Sequence, residues 1–204
     1  MARRYEQRAR AEQQEQTRRR IVEAALELHR TAGPAESSFS AVADRAGVQR
    51  STLYRHFPDD RSLFLACSGL HLEEHPFPDP EPWRGIDSPV ARAATGLEAV
   101  YAYWEANESL VANVLRDGER DEVLHEVNEL RIGRPLRSAR DVLLEAWPGA
   151  VQGSELAAAA ALAVDFRTWQ TLARRSRLDR ADAVALMASM LDGVAARAAA
   201  PTAA

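Results

Sequence analysis

Apolar side chains recur every three or four residues along most of this chain, and the breaks in that rhythm divide it into helices. In "TRRRIVEAALELHRTAG", Ile21, Ala25, Leu28 and Ala32 share one stripe, and Gly33-Pro34 ends the helix. The Gln/Glu/Arg-rich segment before it, residues 1–16, reads either as an extension of that helix or as a basic arm. Ser38 is placed to N-cap a short helix in "SSFSAVADRAG", with Phe39, Val42, Ala43 and Ala46 on its inner face. At about two turns, that helix needs tertiary packing to persist. "QRSTLYRHF" follows with Leu53 and Phe57 as an i, i+4 pair, and a fourth helix is expected from about Asp60 to Glu74.

The texture then changes. "HPFPDPEPWRGIDSP" holds five prolines in fifteen residues and cannot continue a helix. Ser88 and Pro89 restart one as N-cap and first helical residue, and helices continue to Trp147, where Pro148-Gly149 stops them. One long helix is expected from about Ser154 to Arg175. A last helix, capped by Asp179 with Asp182 three residues on, should run to about Ala199. The expectation is an all-α fold with a helix-turn-helix unit of three helices at 17–65 and a larger helical domain at 66–204. In the last two predicted helices, Leu156, Leu162, Phe166, Trp169, Leu186, Met190 and Val194 exceed what one thin layer can bury, which predicts a homodimer through a four-helix bundle.

Composition sharpens this picture in three ways. The net charge of −4 is uneven: residues 1–65 carry twelve Arg against nine Asp and Glu, a balance of +3, and the remainder is acidic. A basic first third on an acidic body suggests a local polyanionic partner. Cys67 is the single cysteine, so no intrachain disulfide framework exists, which fits a reducing cytoplasm. The charged N-terminus has no apolar core for a signal peptide, and no apolar run approaches the length of a membrane span, so no membrane partner is expected.

The segment "GVQRSTLYRHFPDD" carries the candidate chemistry. Ala43 and Gly47 have the A-x-x-x-G spacing of a helix-turn-helix, where a small residue permits a close helix crossing and glycine accepts the left-handed turn. Val42, Ala46, Val48 and Leu53 plug the angle between the helices, leaving Gln49, Arg50, Ser51, Thr52, Tyr54, Arg55 and His56 to face outward. Arg can fork onto guanine, Gln can read adenine and Thr can touch a thymine methyl, while Tyr, His and Ser suit phosphate oxygens.

"GVQRSTLYRHFPDDRSLF" resembles the tetracycline-repressor (TetR) family over about residues 17–65. The resemblance implies double-stranded DNA, with a palindromic operator, as one partner and a small-molecule effector as another. It places Thr52, Tyr54 and His56 on phosphates or base edges, and Gln49, Arg50 and Ser51 mainly on bases. Ser38, Ser40 and Arg55 complete the expected DNA-facing set. Asp60 stands where family members usually have a phosphate-binding Lys, with Arg61 as a substitute, and Ser40 stands where some carry a base-reading Arg.

Two other features compete for attention. "HLEEH" matches an inverted zinc-peptidase motif, so a metallohydrolase using His71, Glu74 and His75 is a rival to be weighed, but a third protein ligand is needed and the proline break follows at once. A protein-binding helical module is the other rival. Neither catalysis, a metal nor a cofactor is expected, and His125 reads as a surface residue. For the effector, Tyr101, Trp104, Asn107, Trp147, Phe166 and Trp169 are the candidate lining of a cavity between helices. Trp83 and Tyr103 belong to the same aromatic set, and Arg116, Asp117, Asp165 and Arg167 are candidate polar groups.

Overall fold

The computed structural model describes residues 2–148 and 154–199. Among them the regular structure is helical, with no strand: α1 (Ala2–Thr31), α2 (Phe39–Ala46), α3 (Arg50–His56), α4 (Asp60–Glu74), α5 (Pro89–Gly118), α6 (Glu122–Asn128), α7 (Arg134–Leu144), α8 (Glu155–Val164), α9 (Phe166–Gln170) and α10 (Arg180–Ala199). Gly149, half of the expected stop after Trp147, lies outside the described residues. The chain divides into two compact units, Met1–Pro76 with Ser109–Arg131 and Phe77–Glu108 with Ile132–Ala204, so α5 contributes residues to both.

In the first unit, Ile21, Val22 and Ala25 of α1 pack with Val42, Ala43, Leu53, Phe57, Leu63 and Cys67 in one core. Burial pushes the Cys67 thiol up to about 12, so it behaves as a small apolar side chain. The short helices begin where their caps are. The Ser38 hydroxyl accepts the Ala41 N–H at 3.2 Å, and the Asp59 carboxylate accepts the Ser62 N–H at 2.7 Å. The helix containing Ile21 begins at Ala2, and its residues 5–16 are exposed. Exposed ion pairs one turn apart, Arg8 with Glu12 at 3.1 Å and Arg19 with Glu23 at 2.8 Å, give it modest local support.

The other end of α1 is held by α5. Asn113 donates from Nδ2 to the carbonyls of His29 and Arg30, both at 3.0 Å, and Arg116 donates to the Ala32 carbonyl at 3.2 Å. The buried Asp117 accepts the Ala35 N–H at 3.0 Å and the Arg116 Nε–H at 2.7 Å. Gly33 passes beneath this cluster at φ +102°, where a Cβ would stand 2.5 Å from an Asp117 oxygen. Arg116 and Asp117, candidates for an effector cavity from the sequence, therefore cap α1 in this structure.

In the second unit, α8 packs against α7 and α10. Trp83, inside the proline-rich segment, is buried, and Arg84 forms a two-pronged pair with Glu145, both bonds at 2.8 Å. The expected single helix over Ser154–Arg175 is interrupted. Asp165 is extended and caps α9, accepting the N–H groups of Arg167 at 2.8 Å and Thr168 at 3.1 Å. Side chains of α5 take carbonyls near this break: the Tyr101 hydroxyl donates to Ala163 at 2.9 Å and the Trp104 indole to Val164 at 3.1 Å.

Two buried histidines make the first unit acid-sensitive. His29 lies edge-on to Phe64 with its Nε2 unpartnered, and neither ring nitrogen of His71 has a partner. Burial, the main cause in both, pushes each from an ordinary 6.5 down to about 4. Each is therefore neutral when folded while the unfolded chain takes up a proton below pH 6.5. Their contribution to stability is complete above pH 6.5 and is lost as the pH falls towards about 4. Urea titrations should show a decline through this window of up to about 3 kcal/mol per histidine, and a shallower decline in His71→Leu. A His71→Leu protein with the wild-type pH slope would show that His71 does not contribute.

Candidate nucleic-acid interface

The turn between α2 and α3 is built from two hydrogen bonds. Gly47 is left-handed at φ 64° and ψ 40°; its N–H reaches the Asp44 carbonyl at 3.2 Å, and the Val48 N–H reaches the Ala43 carbonyl at 3.0 Å. This pairing satisfies the last carbonyls of α2 while reversing the chain. Ala43 and Leu53 are fully buried, and Val48 is packed on the same core. Fixing those residues inward leaves Gln49, Arg50, Ser51, Tyr54 and Arg55 exposed, with Thr52 and His56 half-buried.

The structure gathers part of the expected set at one groove. Ser38, Ser40, Arg50 and Tyr54 line a space of about 500 Å³ with Phe39, Pro58, Asp59 and Asp60. The Tyr54 ring rests on Phe39 with centroids 5.0 Å apart, a support that the sequence reading missed because Phe39 read as pure core. Ser38 has a structural task as the cap of α2, although its hydroxyl keeps a proton to donate. Asp59 and Asp60 disfavour a phosphate here, whereas their carboxylates can accept from a cytosine amino group. The groove therefore suits base edges.

Thr52, Arg55 and His56 occupy a different side of α3, towards α1. Burial, then the charges of Arg55 and Arg18, lower the His56 pKa, so its ring is a neutral hydrogen-bonding group at pH 7. Arg61, the expected substitute for a phosphate-binding Lys, is paired at 3.7 Å with Glu126 of α6 and would have to leave it to reach DNA. Sequence spacing gave no signal for that partner.

The other candidates are also placed. His71 and His75 do come together, ring centroids 5.1 Å apart, but among the described residues no three His, Cys, Asp or Glu side chains are arranged to hold a metal ion. His125 is exposed on α6. Trp104 meets Phe166 at 5.5 Å, Phe166 meets Trp169 at 5.5 Å, and Tyr103 and Phe77 join the same cluster. Asn107 donates to the Tyr103 carbonyl at 2.8 Å, and Trp147, just beyond α7, has a buried indole N–H without a partner. Arg167 lies over the Phe166 ring.

This geometry separates reading from holding. Arg50→Ala should cost about 1–3 kcal/mol on the preferred duplex and relax base preference. His56→Ala, on the side of α3 away from Asp59 and Asp60, should weaken all duplexes about equally. Fluorescence anisotropy on a selected site and on random DNA checks both; equal loss of preference in the two variants contradicts the division.

Residues 21–67 match the sequence model of the bacterial regulatory proteins of the tetR family. No curated protein matches the chain at a significant level. Solved structures share its fold. A HlyIIR mutant protein aligns at TM-score 0.61 and 12% identity, over 86% of this chain and 97% of that one. NalD, the secondary repressor of the MexAB-OprM multidrug efflux pump in Pseudomonas aeruginosa, aligns at 0.58 and 22%, over 90% and 97%. RolR in complex with resorcinol aligns at 0.53 and 19%, over 94% and 97%. No helix among the described residues is long and apolar enough to cross a membrane. The helix-turn-helix, the matched N-terminal segment and the all-helical fold are those of a TetR family DNA-binding transcriptional regulator.

Proposed function

We propose that this regulator is a cytoplasmic homodimeric repressor that holds a palindromic operator through residues 17–65 and releases it when residues 66–204 bind a small, largely apolar molecule. The observation that carries the dimer is an apolar surface on α8 and α10. Leu162, Leu186 and Met190 are 61%, 43% and 50% exposed on two helices that pack against each other. Leu156, Phe166 and Trp169, expected at the same surface, are already buried within the chain, so the surface is narrower than the sequence suggested. Two such helix pairs facing each other would make a four-helix bundle. Recognition helices related by that two-fold axis would read half-sites about one or two DNA turns apart.

The effector reading is supported by the aromatic cluster of the second unit. Trp104, Phe166 and Trp169 are packed, with Tyr101 and Trp104 tied to backbone carbonyls, so the faces left to offer are those of half-buried Phe77 and Tyr103, 5.0 Å apart. Burial pushes the Tyr103 phenol up to about 12, so it stays neutral and can donate a hydrogen bond. Resorcinol bound to RolR, a protein of this fold, is a molecule of the class such rings would stack on. A hundredfold preference of the effector for the non-binding state corresponds to about 2.7 kcal/mol of coupling, and operator must weaken effector binding by the same factor.

Light scattering should give twice the 22.5 kDa of one chain, and Leu186→Glu with Met190→Glu should halve the mass and weaken operator binding. A wild-type monomer that still holds a half-site tightly contradicts the dimer. For the effector, an operator selected from a random DNA pool should be titrated with resorcinol and other small phenols. A compound that raises thermal stability yet leaves operator affinity unchanged counts against the release mechanism, and the reading fails if every tight binder behaves so.

A further inference from the structure

A second groove lies on the side of the recognition helix away from Asp59 and Asp60. Thr52, Arg55 and His56 of α3 form one wall, and Arg10, Gln13, Gln14 and Thr17 of α1 form the other, around a space of about 290 Å³. The four α1 residues sit at i, i+3, i+4 and i+7, so they share one helix face. That face belongs to the exposed part of α1, which covers no core.

The two grooves differ in charge. No carboxylate lines this one. Acids nearby are turned to other partners: Glu12 is paired with Arg8 at 3.1 Å, and Glu15, close enough for its field to reach His56, is paired with Arg18 at 3.9 Å. Arg10 and Arg55 have no ion-pair partner among the described residues, so two guanidinium groups and the amides of Gln13 and Gln14 are free to donate. The Thr17 hydroxyl is committed to the Gln13 carbonyl at 2.9 Å and acts as an acceptor at most. Unpaired guanidinium groups on both walls, amide donors on the α1 wall and no competing carboxylate suit an extended polyanion rather than a base edge.

We propose that the N-terminal half of α1 and the recognition helix form one phosphate-binding channel, in which Arg10, Gln13 and Gln14 hold the same DNA strand as Thr52 and Arg55. The proposal rests on the DNA-binding reading and adds a wall to it. It also gives the exposed extension of α1 a role: one of its faces holds DNA in the channel.

The test uses the full chain and a fluorescein-labelled random-sequence duplex, because a phosphate contact is independent of sequence. Arg10→Ala leaves the helix intact, alanine being the stronger helix former. It should weaken binding about tenfold for each copy engaged near 0.1 M salt and lower the salt-dependence slope by about one. Arg10→Glu should weaken it further. Arg8→Ala, which removes an equal charge outside the channel, should leave affinity within about twofold of wild type. Unaltered affinity and slope in Arg10→Ala, or an equal loss in Arg8→Ala, would overturn the channel while leaving DNA binding standing. Wild-type protein that binds no duplex at low salt would overturn the DNA-binding reading itself.

Discussion

The first unit depends on the grip that α5 keeps on the end of α1. A helix leaves its last carbonyls without intrahelical donors, and here Asn113 and Arg116 supply donors to His29, Arg30 and Ala32 from more than eighty residues away. Asp117 fixes Arg116 in turn and ties down the Ala35 N–H. Burial works to raise the Asp117 pKa, but the Arg116 bond, the Ala35 N–H and the adjacent charge outweigh it and hold the carboxylate below its usual range. Because α1 supplies Ile21, Val22 and Ala25 to the core that seats α2 and α3, fixing its end also fixes the platform beneath the recognition helix.

The second unit uses α5 in the same way. Tyr101 and Trp104 take carbonyls at the end of α8, where Asp165 opens a new helix. These bonds lie inside the second unit, as those of Asn113 and Arg116 lie inside the first. The aromatic residues near 101–104 are therefore structural before they are anything else. An effector that stacks on Tyr103 or Phe77 would act beside residues that hold α8 in place, which is where a small perturbation of packing is most strongly felt.

Local signals explain why the region from Ser38 to Glu74 was legible in sequence. Ser38, Gly47 and Asp59 each end or begin a helix through bonds to residues within four positions, so the cause of each boundary lies inside the segment itself. The interruption at Asp165 was not legible, although its cap bonds are local, because an alanine-rich stretch reads as one helix and the donors to the nearby carbonyls lie about sixty residues away. The same limit misplaced Arg116 and Asp117, whose partners are the end of α1 and the turn after it. It also left Arg61 unassigned to Glu126. The outward set on α3 was legible because burying Val42, Ala43 and Leu53 leaves its other residues only one way to face.

Net charge describes the interface poorly, and pairing describes it well. The first 65 residues carry only a small positive balance. Yet Arg8, Arg19, Arg45 and Arg61 spend their charge on Glu12, Glu23, Glu27 and Glu126, in exposed pairs whose fields largely cancel a short distance away. Arg50 and Arg55 stand on the recognition helix without such partners among the described residues. A duplex approaching this face meets their full charge, while the carboxylates at Asp59 and Asp60 repel phosphate on one flank of the helix. In the proposed channel the strand backbone would lie on the other flank, with base edges on the side where Arg50 and Tyr54 stand. An acidic protein can in this way present a DNA-binding surface with a defined orientation, because the position of its unpaired charges decides the outcome rather than their sum.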